Sequence, residues 1–413
     1  MTKQHTFFIR DEKLTESEKI ELRQDLVCSF SGKKNADFQE LFSTDFPIEE
    51  VGKKNCENLI GSISVPVGIA GPVTVQTRFI SYDEKVGKQQ QHSFVIPLAT
   101  TEGALVASIH RGTKVLNAGQ TKVIVKKIGM SRSVVFECGS IDDAAIFVEY
   151  FSQNSELFGQ FCEETSKHLK FLSYEVFMRD KLLYFRFVFD TDEAMGMNMV
   201  TIALSYAWDK FKRQLPDHIW VSLLTVSGNV CTDKKDSMIN RLRGRGYFVT
   251  AETIIPVIKL EELLKVRAQD LVKTHLVKNV IGSNVAGSFA QNMHVANALG
   301  AFYLATGQDA AHVVAGSEAS VHFEVIKSNL YVALTLPNVS VGSVGGGTWL
   351  PKQTQARLTM LSGDEKNGKL PSALDLATCA GLASLAGEIS GLAALTTHTL
   401  ASAHAKLGRS KKS

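Results

Sequence analysis

Between Ser133 and Val226 the apolar positions change period in a regular order. Ser133-Val-Val-Phe-Glu-Cys138 predicts a strand. From Asp142 to about Thr165, Ile146, Phe147, Tyr150 and Phe151 fall on one side of an amphipathic helix. Phe171 to Phe177 and Leu182 to Phe189 predict two strands around a turn at Arg179-Asp180. A helix from Glu193 to about Phe211 and a strand from Ile219 to Val226 complete the order β-α-β-β-α-β, the ferredoxin-like pattern. Residues 133–226 therefore predict a compact domain inserted into a larger one.

The larger domain is expected from 50–132 and 227–413. Its helices are rich in small residues, as in the glycine-dotted stretch Gly282 to Gly300. Leu382, Leu385, Ile389, Leu392 and Leu395 have helical spacing. Residues 1–49 are polar, with an acidic-basic run from Asp11 to Arg23, and predict a small N-terminal helical extension. The expected fold class is α+β: a large, mostly helical domain with an inserted ferredoxin-like one.

Composition narrows the class. The 413 residues are 44% apolar and 21% charged, as in a folded protein of two or three domains. A net charge of +3 argues against a dedicated nucleic-acid binder, which carries a strong basic patch. The six scattered cysteines have neither zinc-site spacing nor a disulfide framework, so no metal and reduced thiols are expected. The N-terminus lacks a signal-peptide core. Asn279 to Gln308 and Ser328 to Pro351 carry no Asp, Glu, Lys or Arg, but polar residues, proline and glycine interrupt both. A third stretch near the C-terminus is broken by Glu388, His398 and His404. All three are expected to be buried core, in a soluble cytoplasmic protein with no membrane span.

Several short segments can carry chemistry. In Pro97-Leu-Ala-Thr-Thr-Glu-Gly103, Thr100 or Thr101 can cap a helix starting near Ala104, with Glu102 in its first turn. Alternatively Glu102 is a buried acid able to donate a proton near neutrality. In Val226-Ser-Gly-Asn-Val-Cys-Thr-Asp-Lys-Lys235, Thr232 and Asp233 can start a helix with solvated lysines, or an ammonium can stabilise an oxyanion. In Ala305-Thr-Gly-Gln-Asp-Ala-Ala311, Gly307 points to a turn and Asp309 to a cap; an Asp facing a lysine and a glutamate would couple their protonation. Val341-Gly-Ser-Val-Gly-Gly-Gly-Thr348 exposes backbone N–H groups to a ligand or makes a sharp turn. Glu193-Ala-Met-Gly-Met-Asn-Met199 can be core or can hold a phosphate or ribose at a helix start. His404 is a surface residue or a proton donor. No G-x-G-x-x-G follows a strand, so an ordinary Rossmann site is not supported.

Taken together, Glu57-Asn-Leu-Ile-Gly61, Pro66-Val-Gly-Ile-Ala-Gly-Pro72 and the Ala-Thr-Thr-Glu-Gly, Met-Gly-Met-Asn-Met, Thr-Asp-Lys-Lys, Gly-Gln-Asp and Val-Gly-Gly-Gly-Thr segments resemble, in that order, the hydroxymethylglutaryl-CoA reductases. The resemblance spans about 50–410 and favours the class shared by eukaryotes, archaea and some bacteria. It implies a homodimer, or a dimer of dimers, with active sites at the subunit interface. It also implies reduction of the acyl-CoA thioester to mevalonate and CoA by two hydrides from NADPH.

By that resemblance, Lys234 steadies the thioester oxygen and Glu102 donates a proton to the aldehyde-level intermediate. Asp309 belongs to the cluster that sets both pKa values, and His404 protonates the CoA thiolate. Arg132, Ser227, Asp233 and Lys235 match positions that hold the hydroxymethylglutaryl group. Lys278, His294 and Asn297 match positions near the acyl-CoA and the catalytic cluster. Ser166, Lys167, Glu193, Gly196, Met197, Asn198, Gly345, Gly346 and Gly347 match cofactor contacts. Glu193 stands where the family often has Asp, and Lys167 where it often has Arg. A lysine meets a 2′-phosphate as a point charge and not as a planar fork. Ser410 falls at a regulatory phosphorylation position of eukaryotic members, here within a plain basic tail. Two rival readings are a non-catalytic CoA-binding homologue and an RNA-binding protein, the latter prompted by Arg241-Leu-Arg-Gly-Arg-Gly246.

Overall fold

A computed structural model describes residues 7–9, 11–361 and 369–398. Its organising element is one long strand, β3 (Gln120–Cys138), which takes part in two sheets. Along Gln120–Val125 the buried positions alternate, with Val123 and Val125 facing a large core. Beyond Gly129 the strand enters a second core through Met130, Val134 and Phe136. The change of sheet falls at Gly129, whose φ is 97° and where the pairing register shifts. A Cβ there would lie 2.7 Å from Phe189 O, so the bend requires glycine.

The first sheet runs in the order β2-β1-β3-β7-β9-β8. It comprises β1 (Val67–Ile80), β2 (Gln90–Ala99), the first half of β3, β7 (Gly246–Pro256), β8 (Ser320–Ile326) and β9 (Asn329–Val339). The large region was expected to be mostly helical; it also contains this six-stranded sheet. Against it lies a helix buried along nearly its whole length, α7 (Ala373–Thr396). This helix is long and apolar enough to cross a bilayer, but its most apolar window is entirely buried inside the structure. It packs closely on α2 (Leu105–Ala118). At Gly112 of α2 a Cβ would lie 2.0 Å from Ala386 O, which explains the small residue.

Around the second half of β3 stand α3 (Ile141–Glu163), β4 (Lys170–Arg179), β5 (Leu182–Asp190), α4 (Met197–Phe211) and β6 (Val221–Thr225). The strands lie in the order β4-β5-β3-β6, every pair antiparallel. Phe136, Phe147, Phe151, Phe185, Phe187 and Phe211 fill the space beneath the two helices, with Phe151 and Phe185 rings 4.7 Å apart. Such edge-to-face contacts add about 0.5–1.5 kcal/mol each beyond area burial.

Two local expectations are corrected. The helix expected from Glu193 begins at Met197, because Gly196 is a left-handed N-cap (φ 88°). The stretch Gly282 to Gly300 is not one helix. A π-helical segment, Leu276–Gly282, leads into the short helix Ser283–Ala286, and α6 (Val295–Thr306) starts only after His294. At the N-terminus, α1 (Glu16–Ser31) starts inside the charged run and is held by a Thr15–Glu18 capping box.

Candidate active site

The loop after β6 does not start a helix at Thr232-Asp233. Thr232 (φ 45°) and Lys234 (φ 58°) are left-handed, which a helix cannot contain. The helix α5 (Met238–Arg243) begins later, with Ser237 Oγ accepting from Asn240 N–H. Asn240 is buried and donates back to Thr232 O (2.9 Å), fixing the loop from behind. Glu318 fixes its other end: Oε1 accepts from Ser237 N–H (2.6 Å) and Oε2 from Asn338 Nδ2 (2.8 Å). Burial, with Asp236 alongside, pushes the Glu318 carboxyl up to about 8.

This loop presents Lys234, whose Nζ lies 2.7 Å from Asp309 Oδ2. Asp309 follows Gly307, the left-handed end of α6 (φ 74°). A Cβ at Gly307 would lie 2.4 Å from Gly347 O, so glycine lets the Asp309 turn approach the glycine run. Burial pushes the Asp309 carboxyl up. The Lys234 ammonium and the Ala311 N–H more than offset this, so Asp309 stays below its ordinary value.

Behind the pair lies a buried chain of charges. Arg245 is fully buried, with Nη2 3.0 Å from Asp233 Oδ1 and 2.6 Å from Met197 Sδ. Arg132 Nη1 lies 3.8 Å from Asp233 Oδ2, while its Nε donates to Val226 O (2.9 Å). The fully buried His312 ring sits between Asp233 and Asp309. Lys235 is exposed and reaches Asp233 O (3.3 Å), and Ser227 is exposed on the same loop. Arg132, Asp233, Lys234 and Asp309 are thus brought together, with Ser227 and Lys235 nearby in sequence.

A second cluster forms on other elements. Thr100 and Thr101 do not cap α2, whose N-cap is Ala104 (φ 74°) without a side-chain bond; Thr100 Oγ1 instead accepts from Glu102 N–H (2.9 Å). Glu102 is exposed in the chain, not buried, and its Oε1 accepts from Asn297 Nδ2 (3.3 Å). His294 precedes α6, and Glu388, inside α7, anchors it. Glu388 Oε1 and Oε2 accept from the His294 and Met293 N–H groups, each at 2.8 Å, and His294 Nε2–H donates to Gly387 O (3.0 Å). Gly387 and Gly391 leave room for the ring, since a Cβ at either would lie 2.8 Å from one of its atoms. Burial raises the Glu388 carboxyl, against opposing pulls from His294 and the exposed Lys278. Among the described residues, no hydrogen bond or ion pair joins Glu102 to Lys234 or Asp309.

A cavity of about 800 Å³ opens beside Lys234 and Asp309, within the size range of ligand pockets. Gly196, Met197 and Asn198 line it from the start of α4, and Gly345, Gly346 and Gly347 line it from the glycine run. Gly345 and Gly346 have φ of 81° and 55°, and a Cβ at either would meet nothing within 4 Å. Met197 is largely buried, its sulfur turned to Arg245. Glu193 is spent as a clamp: Oε2 accepts from Ser343 Oγ (2.5 Å) and from the Ala373 N–H at the start of α7 (2.8 Å). Ser166 and Lys167 lie outside the cavity lining, on the turn before β4. His404 and Ser410 lie outside the described residues.

Arg245, His312, Glu318 and Glu388 were missed from the sequence. Glu388 left a signal, a carboxylate in the middle of a helix whose other acid, Asp375, belongs to its N-terminal cap. The Arg241–Gly246 run, read as a possible RNA patch, is consumed internally: Arg241 binds Phe289 O, Arg243 pairs with Glu175 (2.9 Å), and Arg245 is buried. No group of three or more His, Cys, Asp or Glu suited to a metal occurs among the described residues.

A cationic Lys234 held by a carboxylate, with Arg132 nearby and an adjoining cavity, forms an enzyme site suited to an anionic carbonyl compound. A family model described as hydroxymethylglutaryl-coenzyme A reductase matches residues 19–409, reaching further toward the N-terminus than the motifs. The 3-hydroxy-3-methylglutaryl-coenzyme A reductase of Haloferax volcanii is 39% identical over 392 residues, covering 94% of this chain and 92% of that protein. That of Methanothermobacter thermautotrophicus is 36% identical over 394 residues, with 95% and 94% covered. The class II reductase of Streptococcus pneumoniae, solved with NADPH in open conformations, is similar in fold: TM-score 0.61 at 18% identity, covering 94% of this chain and 98% of that one. The chain belongs to the hydroxymethylglutaryl-coenzyme A reductase family and is an oxidoreductase.

Proposed function

We propose that the protein reduces the 3-hydroxy-3-methylglutaryl-CoA thioester to mevalonate and CoA with NADPH, as a step of the mevalonate pathway. The observation that carries this reading is the Lys234–Asp309 pair at 2.7 Å beside the glycine-lined cavity. Reduced nicotinamide bound there supplies hydride, once to the thioester and once to the aldehyde. The open space at Gly345 and Gly346 and the α4 N-terminus fit such a group, since backbone N–H groups at a helix start favour phosphate. In this reading residues 133–226 are a ferredoxin-like cofactor-binding domain, supported by the antiparallel order β4-β5-β3-β6. Residues 50–132 and 227–413 then hold the acyl-CoA.

Lys234 aims its ammonium at the carbonyl oxygen and stabilises the negative charge that develops as the bond becomes tetrahedral. Asp309 holds that ammonium in place. Arg132 with Asp233, and Lys235 at the rim, grip the carboxylate and hydroxyl of the hydroxymethylglutaryl group. Glu102, steadied by Asn297, delivers the proton that completes the alcohol. His404 serves the departing thiolate.

Among the described residues no hydrogen bond or ion pair joins Glu102 to Lys234, and Ile63, Val67 and Ile69 are exposed. Both features support a homodimer, or a dimer of dimers, in which one protomer's Glu102 cluster completes its partner's Lys234 cluster. The enzyme acts in the cytoplasm, with neither nucleic acid nor membrane as partner. The experiment mixes two inactive variants, Glu102→Gln and Lys234→Ala, after denaturation and refolding together. Recovered reduction of the CoA ester supports the shared site. Mixed dimers as inactive as either parent sink it.

A further inference from the structure

Four ionisable side chains converge on one ring that the mechanism above does not use. His312 is fully buried at the end of the turn that carries Asp309. Its Nδ1 lies 3.5 Å from Arg245 Nη1. A guanidinium has only donors, so Nδ1 must accept and the ring proton sits on Nε2. That Nε2 is buried without a hydrogen-bond partner, 3.9 Å from Asp233 Oδ1 and 3.8 Å from Asp309 Oδ2. Asp233 Oδ1 is itself buried without a hydrogen bond, though paired in charge with Arg245. A donor without a partner thus faces, just beyond bonding distance, an acceptor whose ion pair with Arg245 leaves it room for one more bond. Catalytic hydrogen bonds are often long in the free enzyme and tighten around substrate.

We propose that His312 is a positioning residue, a neutral Nε2–H donor that bridges Asp233 to Asp309 and so ties the substrate-gripping carboxylate to the one that holds Lys234. The inference rests on the reductase reading for its catalytic consequence, but not for the state of the ring. The groups facing His312 agree with a neutral imidazole. Burial lowers its pKa to about 4, Arg245 and Lys234 act in the same direction, and Asp233 and Asp309 oppose them. At neutral pH the ring therefore acts as a fixed donor and does not carry a proton back and forth.

Two variants separate this role from packing. In His312→Gln the amide can accept from Arg245 and donate toward the carboxylates, and it does not titrate. In His312→Met the volume is kept and the donor is lost. The Met variant, folded and dimeric as judged by circular dichroism and sedimentation, loses kcat by about 10- to 100-fold, the scale of a displaced catalytic group. KM for the CoA ester moves far less. Without the donor, Asp309 ionises less readily, so the acid limb of the kcat–pH profile moves to higher pH. The Gln variant restores both kcat and the limb. A Met variant with unchanged kcat and profile overturns the proposal, as does a Gln variant as impaired as Met. Nitrogen-15 NMR of ring-labelled wild type tests the ring itself: the neutral Nε2–H form persists through neutral pH. An imidazolium or an Nδ1–H form there overturns the proposal whether or not the protein turns over any thioester.

Discussion

Replacing Glu388 by alanine withdraws the only carboxylate that α7 offers to the segment before α6. Its two oxygens each accept a backbone N–H at 2.8 Å, from Met293 and His294, in a site closed to water at the carboxylate. A buried donor left without a partner costs about 1–3 kcal/mol, so two cost roughly 2–6 kcal/mol. Glu388→Gln keeps one carbonyl oxygen for one N–H but turns an amide donor toward the other, and costs about 1–3 kcal/mol. Urea titration followed by circular dichroism, at fixed protein concentration, reads both. Burial raises the Glu388 carboxyl, so the folded chain binds that proton more tightly than the unfolded one. Wild type therefore loses stability as pH rises past the ordinary carboxyl range, whereas the Gln variant has nothing to ionise, and its deficit narrows. An alanine variant within about 1 kcal/mol of wild type, less than one unsatisfied donor costs, refutes this account of how His294 is anchored.

Other outcomes follow from the same geometry. Glu318, raised to about 8, binds its proton in the folded chain over a range where the unfolded chain has released it. Stability thus falls as pH rises from the ordinary carboxyl value to about 8, by a ceiling on the order of 5 kcal/mol, and Glu318→Gln flattens that slope in thermal melts across pH. Arg245→Met leaves Asp233, a partly exposed carboxylate, with only the longer Arg132 contact (3.8 Å) and costs up to about 3 kcal/mol in urea titration, a loss that shrinks when Asp233 is replaced by asparagine as well. Gly391→Ala drives a methyl to within 2.8 Å of the His294 and Met293 side chains. It lowers kcat more than it lowers the melting temperature, whereas Ala380→Gly in the same helix does the reverse.

The strand and helix order of residues 133–226 was legible because its segments are short and well bounded. Phe147 and Phe151 recur at helical spacing, and Leu182–Phe189 is a short run, apolar but for Arg186, that follows the turn at Asp180. The strands of the larger sheet left a weaker mark. Val67–Ile80 opens on glycine and proline, and Asn329–Val339 sits inside a long uncharged run, so neither shows a distinct bounded alternation. The motif segments located Lys234 and Asp309, and the structure joins them. The backbone that joins them was not legible. Left-handed φ at Thr232 and Lys234 is imposed by Asn240 and Glu318 from outside the loop, and local propensity instead favours a helix start. Arg245 read as part of the run that prompted the RNA-binding alternative, because its partner Asp233 is close only in three dimensions. His312 was hidden for the same reason.

In the proposed reaction Lys234 makes this chain a four-electron reductase of a CoA thioester. The direct measurement is the stoichiometry of turnover: reduced nicotinamide consumed against free CoA thiol released from hydroxymethylglutaryl-CoA, for wild type and Lys234→Ala. Two molecules of NADPH oxidised per thiol are expected in the wild type, and neither signal in folded Lys234→Ala protein. Thiol release without NADPH oxidation, or a Lys234→Ala variant that retains wild-type turnover, would contradict the proposed reaction.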